Sequence, residues 1–164
     1  MKTVAQPMLW RAILVAALAA LAVAAIGGTL TDLGPWYQSL REPAWKPPDA
    51  AFGAIWTTIF ALAAMSGVLA WRGDRTAAGR QWTIGLFATN GFLNVLWSLV
   101  FFRLHRPDFA LVEVGALWLS IFVLIVVLFR KSVWASVLLV PYLVWVSTAA
   151  VLNYDVVRLN GPFA

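Results

Sequence analysis

The chain contains no cysteine, so disulfides, thiolate nucleophiles and cysteine-ligated metals are excluded and the redox compartment stays open. It has one histidine, His105, in the connector "RLHRPD", and none inside its hydrophobic stretches. A solvated His105 is the expectation, and haem iron finds no histidine ligand within the spans. Charge is scarce as well. Asp, Glu, Lys and Arg make up 12% of the residues, against about 25% in soluble domains. No nucleophile elbow, phosphate-cradling glycine loop or metal-ligand cluster occurs. Acid–base chemistry needs a poised pair, and the single acid inside a span, Glu113, has no evident partner. Conventional catalysis therefore has little to work with, and no catalytic residue is assigned.

Apolar residues are abundant, at 62% with a mean hydropathy of +0.83, where soluble domains hold roughly 45–50%. A length of 164 residues suits one domain, 1–164. The pattern predicts an all-α, multi-pass membrane protein. Five segments approach the roughly 20 apolar residues that cross a bilayer: 8–30, 50–71, 82–102, 109–129 and 132–154. The net charge of +5 does not indicate nucleic acid, because the basic residues are dispersed at span ends, where they anchor in headgroups. Lys2, Arg11, Arg72, Arg75, Arg80, Arg130 and Lys131 fall on one side; Arg41, Lys46, Arg103, Arg106 and Arg158 fall on the other. The excess leans toward an internal N-terminus.

The first span has a rival reading as a signal peptide, given its basic start and small residues. Ala16, Ala20, Ala24 and Gly28 recur every four positions, a stripe that lets another helix approach closely, and favour a retained helix. Short connectors between the later spans predict sequential antiparallel neighbours. No internal repeat is present, which argues against an inverted-repeat transporter.

Several faces mix rings, small residues and amides at helical spacing. Asn90, Asn94, Trp97 and Phe101 share one; Tyr142, Trp145, Ala149, Leu152 and Asn153 share another; Trp56, Phe60, Ala63 and Gly67 share a third. Such amides commonly cross-link helices, which is the plainest role for Asn90 and Asn94. Trp10, Trp71, Trp82 and Trp134 lie at span ends as belt residues, whereas Trp56, Trp97 and Trp145 lie deeper, where an indole N–H needs a partner. A structural hydrogen bond or ion pair is expected for Glu113, with a proton relay as the alternative. Pairing with an arginine is expected for Asp155.

The connector after the first span, 31–49, holds "WYQSLREPAWKPP", with three prolines and two tryptophans in residues 36–48. Prolines restrict the backbone, so such a loop loses less entropy when it folds over a site. It reads as a preorganised aromatic lid.

Three stretches, "WYQSLREPAWKPPDAAFGAIWT" at 36–57, "NVLWSLVFF" at 94–102 and "VPYLVWVSTAAVLNYDVVRLN" at 140–160, resemble the translocator protein family, the tryptophan-rich sensory proteins and peripheral-type benzodiazepine receptor. The resemblance implies a five-helix bundle in a bacterial cell membrane or an outer mitochondrial-type membrane, surrounded by lipid and often homodimeric. It implies binding of porphyrins (haem or protoporphyrin), sterols and aromatic compounds under the first loop, with no obligate cofactor. By motif position the site would take Trp36, Trp45, Pro47, Pro48, Phe52, Trp56, Asn94, Phe109, Trp145, Ala149, Leu152 and Asn153; the helical faces add Phe60, Asn90, Trp97 and Tyr142. Leu152, Tyr154 and Arg158 fit a proposed sterol pattern. Sensing or translocation of ligand is the leading expectation. Oxidative protoporphyrin degradation through Trp56 and Trp145, and a membrane scaffold, are the alternatives. Departures from the family pattern are Glu42 for a usual lysine, Ala50 and Phe109 for tryptophans, and Ala54 and Leu99 for prolines. The first should remove a cation from the site, and the last two should weaken helix kinks.

Overall fold

The computed structural model describes residues 7–74 and 76–163, and among them it contains helices and no strand. Lys2 and Arg75, counted above for topology, lie outside the described residues. Five segments are long and apolar enough to span a bilayer. The first is α1, Pro7–Leu30. The lid follows, with one short helix, α2, Pro35–Ser39, opened by a proline whose fixed φ suits a first turn. Helix α3 is Asp49–Gly73 and runs unbroken through Ala54, as loss of proline there predicts. Helix α4, Ala77–Ser98, starts five residues before the predicted span because the Thr76 side chain accepts from the Gly79 N–H and caps it.

At Leu99 the expectation was only partly met. No proline is present, yet α4 passes into a π-helical turn, Leu99–Arg103. The added residue per turn leaves the consecutive rings Phe101 and Phe102 both buried. Helix α5, Pro107–Phe129, again begins on a proline. The fifth span is two helices, α6, Val133–Val137, and α7, Val140–Asn160. Pro141 lacks the N–H a continuous helix would use, so the chain restarts there. α7 also outruns the predicted end at 154 by six residues, because the lid covers its last turns.

Helix α1 packs against both α3 and α4. The expected sequential neighbours are found for α4 with α5 and α5 with α7, but α3 and α4, though joined by a short link, contact each other less than each contacts α1, which is wedged between them. The wedge is possible because Gly91 lets Val23 in; a Cβ on Gly91 would sit 3.0 Å from the Val23 Cγ2. Beyond them α5 packs on α4 and α7. Helices in lipid gain no hydrophobic drive from one another, so polar cross-links matter. Asn90 Nδ2 donates to Ser120 (2.9 Å), Asn94 Nδ2 to the Tyr142 hydroxyl (3.0 Å), Trp118 Nε1 to Ser147 (2.8 Å) and Ser66 to the Ala135 carbonyl (2.6 Å). Both asparagines thus do the cross-linking their spacing suggested.

At the end opposite the lid, Lys131 Nζ donates to Asp74 Oδ2 (2.6 Å), the Gly79 carbonyl (3.0 Å) and Thr83 (2.7 Å). This latch ties the α3–α4 link to the α5–α6 link. Gly79 is required beside it, since a Cβ there would run into the Asp74 carboxylate. The hydrogen bond from Lys131 holds the Asp74 carboxyl below its ordinary value of 3.8. A carboxyl depressed in the folded state contributes stability that is present above its unfolded value and lost as pH falls through the folded one. Melting temperature in detergent should therefore drop by several degrees as pH is lowered below about 4. Asp74→Asn should melt lower at neutral pH and show a flatter acid limb; a wild-type acid limb in that variant would place the titrating group elsewhere.

Candidate functional site

Under the lid the long helices leave a cavity of about 520 Å³. Its walls are rings and small residues. Phe52 meets Trp145 edge-on (5.4 Å between centroids), Trp56 stacks on Phe60 (5.3 Å), and Trp97 stacks on Phe101 (5.0 Å). Ala24, Gly27, Gly28 and Ala149 stand among the rings. Large flat side chains fixed against one another beside small ones form a slot that keeps its shape.

Three polar atoms on this wall find no hydrogen-bond partner within the protein: Trp97 Nε1, Trp145 Nε1 and Asn153 Oδ1. Asn153 is only 1% exposed, and its Nδ2 is already committed to the Pro107 carbonyl (3.0 Å). An unmet buried donor or acceptor costs about 1–3 kcal/mol. All three atoms are themselves buried within the wall, so a guest reaches them only if the wall side chains turn.

The mouth carries the cavity's charge, on Glu42, Lys46 and Asp49. Lys46 Nζ lies 2.5 Å from Glu42 Oε1 and 2.6 Å from Asp49 Oδ1, over the Tyr37 ring (5.1 Å). Burial acts to lower the Lys46 pKa, but its hydrogen bonds to Asp49 and Glu42 prevail and hold it above the ordinary lysine range. Burial raises the Tyr37 hydroxyl. Lys46, four residues on, is the one cation among the described residues lining the cavity, and it is bound by two carboxylates, so the expected loss of positive charge at position 42 stands.

The lid is fastened to the end of α7. Trp45 Nε1 donates to Asp155 Oδ2 (3.0 Å), the Arg41 N–H donates to Asn160 Oδ1 (2.7 Å), and Asn160 Nδ2 donates to the Arg41 carbonyl (2.9 Å). Arg158 adds the arginine partner expected for Asp155 (3.5 Å). Trp36 lies against Phe101 and stacks on His105 (4.1 Å), which is exposed and has φ of 53°.

Of the residues singled out from sequence, Phe52, Trp56, Phe60, Asn94, Trp97, Trp145, Ala149, Leu152 and Asn153 line this cavity together. Asn90 and Tyr142 instead line a second space of about 550 Å³ between α1, α3 and α4, where Ala16 and Ala20 also point. Val23, Phe60 and Asn94 border both spaces and divide them. The small-residue stripe of α1 accordingly splits, with Ala16 and Ala20 on one space and Ala24 and Gly28 on the other. Trp36, Trp45, Pro47 and Pro48 belong to the lid but do not line the cavity; Pro48 stands at the start of α3. Phe109 is 57% exposed, with the Arg106 guanidinium 4.0 Å above its ring. In the sterol pattern, Leu152 faces the cavity while Tyr154 and Arg158 are exposed.

The expected bond for Glu113 is absent. Both its oxygens are buried without a partner among the described residues. Sequence reasoning also passed over Tyr37, Lys46 and Asp49. The available signal was a lysine flanked by acids four residues before and three after, inside an aromatic and proline-rich segment whose one other charge is Arg41.

A model of the TspO/MBR family matches residues 14–159. The chain is 38% identical over 146 residues to a tryptophan-rich protein TspO of Chlorobaculum tepidum, covering 85% of this chain and 90% of that one. It is 33% identical to protein CrtK of Rhodobacter capsulatus, covering 86% and 88%. It is 31% identical over 127 residues to the human translocator protein, covering 76% and 75%.

Proposed function

The chain belongs to the TspO/MBR family and is a multi-pass integral membrane protein, and from that premise we propose that it binds porphyrins and sterol-like molecules beneath its lid and senses or translocates them. The observation that carries this reading is the cavity under the lid, walled by fixed rings and small residues. Its volume of about 520 Å³ falls within the roughly 300–1,000 Å³ of small-molecule sites. Flat rings on α3, α4 and α7 suit a flat apolar guest.

Titration of the purified protein in non-ionic detergent with protoporphyrin, haem and cholesterol tests it. Saturable absorbance shifts and quenching of tryptophan fluorescence by the porphyrins support binding; no saturable signal from any of the three overturns it. Multiple-turnover bleaching of protoporphyrin in light would establish degradation in place of sensing or transport. An aromatic contact contributes about 0.5–1.5 kcal/mol beyond area burial, so Trp56→Leu and Trp145→Leu should each weaken porphyrin binding by about 2–13-fold. Trp134, 71% exposed and away from the cavity, is the control. If all three variants bind as tightly as wild type, the deep rings are packing alone.

A further inference from the structure

The geometry points to a charge filter at the cavity mouth, in which Glu42 sets a preference for uncharged ligands over polycarboxylates. This rests on the reading of the cavity as a porphyrin and sterol site, and names which members of that class it favours. Glu42, Lys46 and Asp49 are the charged residues among those that line the cavity, so the mouth carries a net charge of −1. The cation is not free to meet an anion. Lys46 is 9% exposed at its side chain, and its ammonium is held by two carboxylates, at 2.5 and 2.6 Å, with the Tyr37 ring beneath.

A dicarboxylate entering here has two courses. It must displace Glu42 or Asp49 from Lys46, or it must place its own carboxylates beside theirs without a counter-charge. Either course costs interaction energy in a partly desolvated setting. A neutral molecule with one hydroxyl or N–H meets no such barrier. Deeper in, the wall is aromatic and apolar, which suits such a molecule. Repulsion of one class at the mouth, with no such penalty for the other, is how a site gains specificity by difference.

Glu42 is the residue to change, because it belongs to the lid and is not part of α3, whereas Asp49 opens α3. Glu42→Gln brings the mouth to zero charge with little change in shape, and Glu42→Lys brings it to +1. Charges several ångströms apart at an effective dielectric between protein surface and water correspond to roughly a tenfold change in affinity per unit charge.

The experiment compares protoporphyrin with its dimethyl ester, titrated into wild type, Glu42→Gln and Glu42→Lys in non-ionic detergent at low salt. Circular dichroism confirms that each variant is folded. The readout is the ratio of the two affinities, and the ester's greater partitioning into detergent cancels between proteins. Wild type should favour the ester; the ratio should move toward the free acid by roughly tenfold in Glu42→Gln and further in Glu42→Lys. Added salt should shrink the shift. A wild-type preference for the free acid, or a ratio that neither variant moves, overturns the filter while leaving the binding site in place. Failure of both ligands to bind wild type overturns the site and the filter together. If Glu42→Lys does not fold, Glu42→Gln decides alone.

Discussion

Ala149→Phe should remove most of the porphyrin affinity and leave the bundle folded. Ala149 lies on α7 one turn after Trp145 and one turn before Asn153, and all three face the cavity. A phenyl group there projects into the slot between the rings instead of into a packed core. In a folded apo protein the added ring meets open space, so the melting temperature should stay near wild type. A flat guest must then give up part of the slot or force the ring aside. Overpacking of that kind costs about 1–3 kcal/mol, which is about a 5- to 150-fold loss of affinity. Gly28 on α1 offers a check from the opposite wall, since a Cβ there meets nothing within 4 Å. Gly28→Leu should act in the same direction with less force. Titration with protoporphyrin alongside a thermal melt reads both quantities. Unchanged affinity with a lowered melting temperature would mean that Ala149 is packed and the ligand sits elsewhere.

Most of the frame was legible because hydropathy acts over whole segments: twenty apolar residues in a row have one stable solution in a bilayer. Helix neighbours were harder. Loop length says which spans can lie side by side, but the insertion of α1 between α3 and α4 depends on one close approach, Val23 onto Gly91, and no periodicity announces it. The deep rings Trp56, Trp97 and Trp145 were found because each shares a helical face with small or polar residues. The lid was read in the right place but with the wrong residues inward. Its tryptophans look like the natural cover, yet Trp45 turns outward to Asp155 and Trp36 to His105, while Tyr37, Leu40 and Lys46 face the cavity. A loop has no fixed period, so which side chains point inward is set by contacts made far along the chain. Glu113 shows the same limit: an acid within a span says nothing of which groups neighbouring helices bring to it, and here both its oxygens are buried without a partner among the described residues.

Ligand release should quicken when the lid is unfastened from α7, by the double variant Asp155→Ala with Asn160→Ala. Three hydrogen bonds join lid to helix end, from Trp45 Nε1 to Asp155, from the Arg41 N–H to Asn160, and from Asn160 back to the Arg41 carbonyl. All are exposed, which puts each at the lower end of its range, about 0.5–1 kcal/mol, or about 1.5–3 kcal/mol together. Arg158, largely exposed, adds little through its pairing with Asp155. If a bound molecule leaves only when the lid lifts, lowering the cost of lifting by that amount speeds release by about 10- to 150-fold. Lys46 still binds Glu42 and Asp49 in the variant, and the apolar cluster of Trp36, Tyr37 and Leu40 on Phe101 and Val156 is untouched. The lid should therefore loosen without detaching, and helicity should hold. Stopped-flow displacement of bound protoporphyrin measures the rate, and amide exchange across 36–46 reports the lid directly. Faster exchange with unchanged release would show that the ligand bypasses the lid and leaves sideways, past α1 into the bilayer.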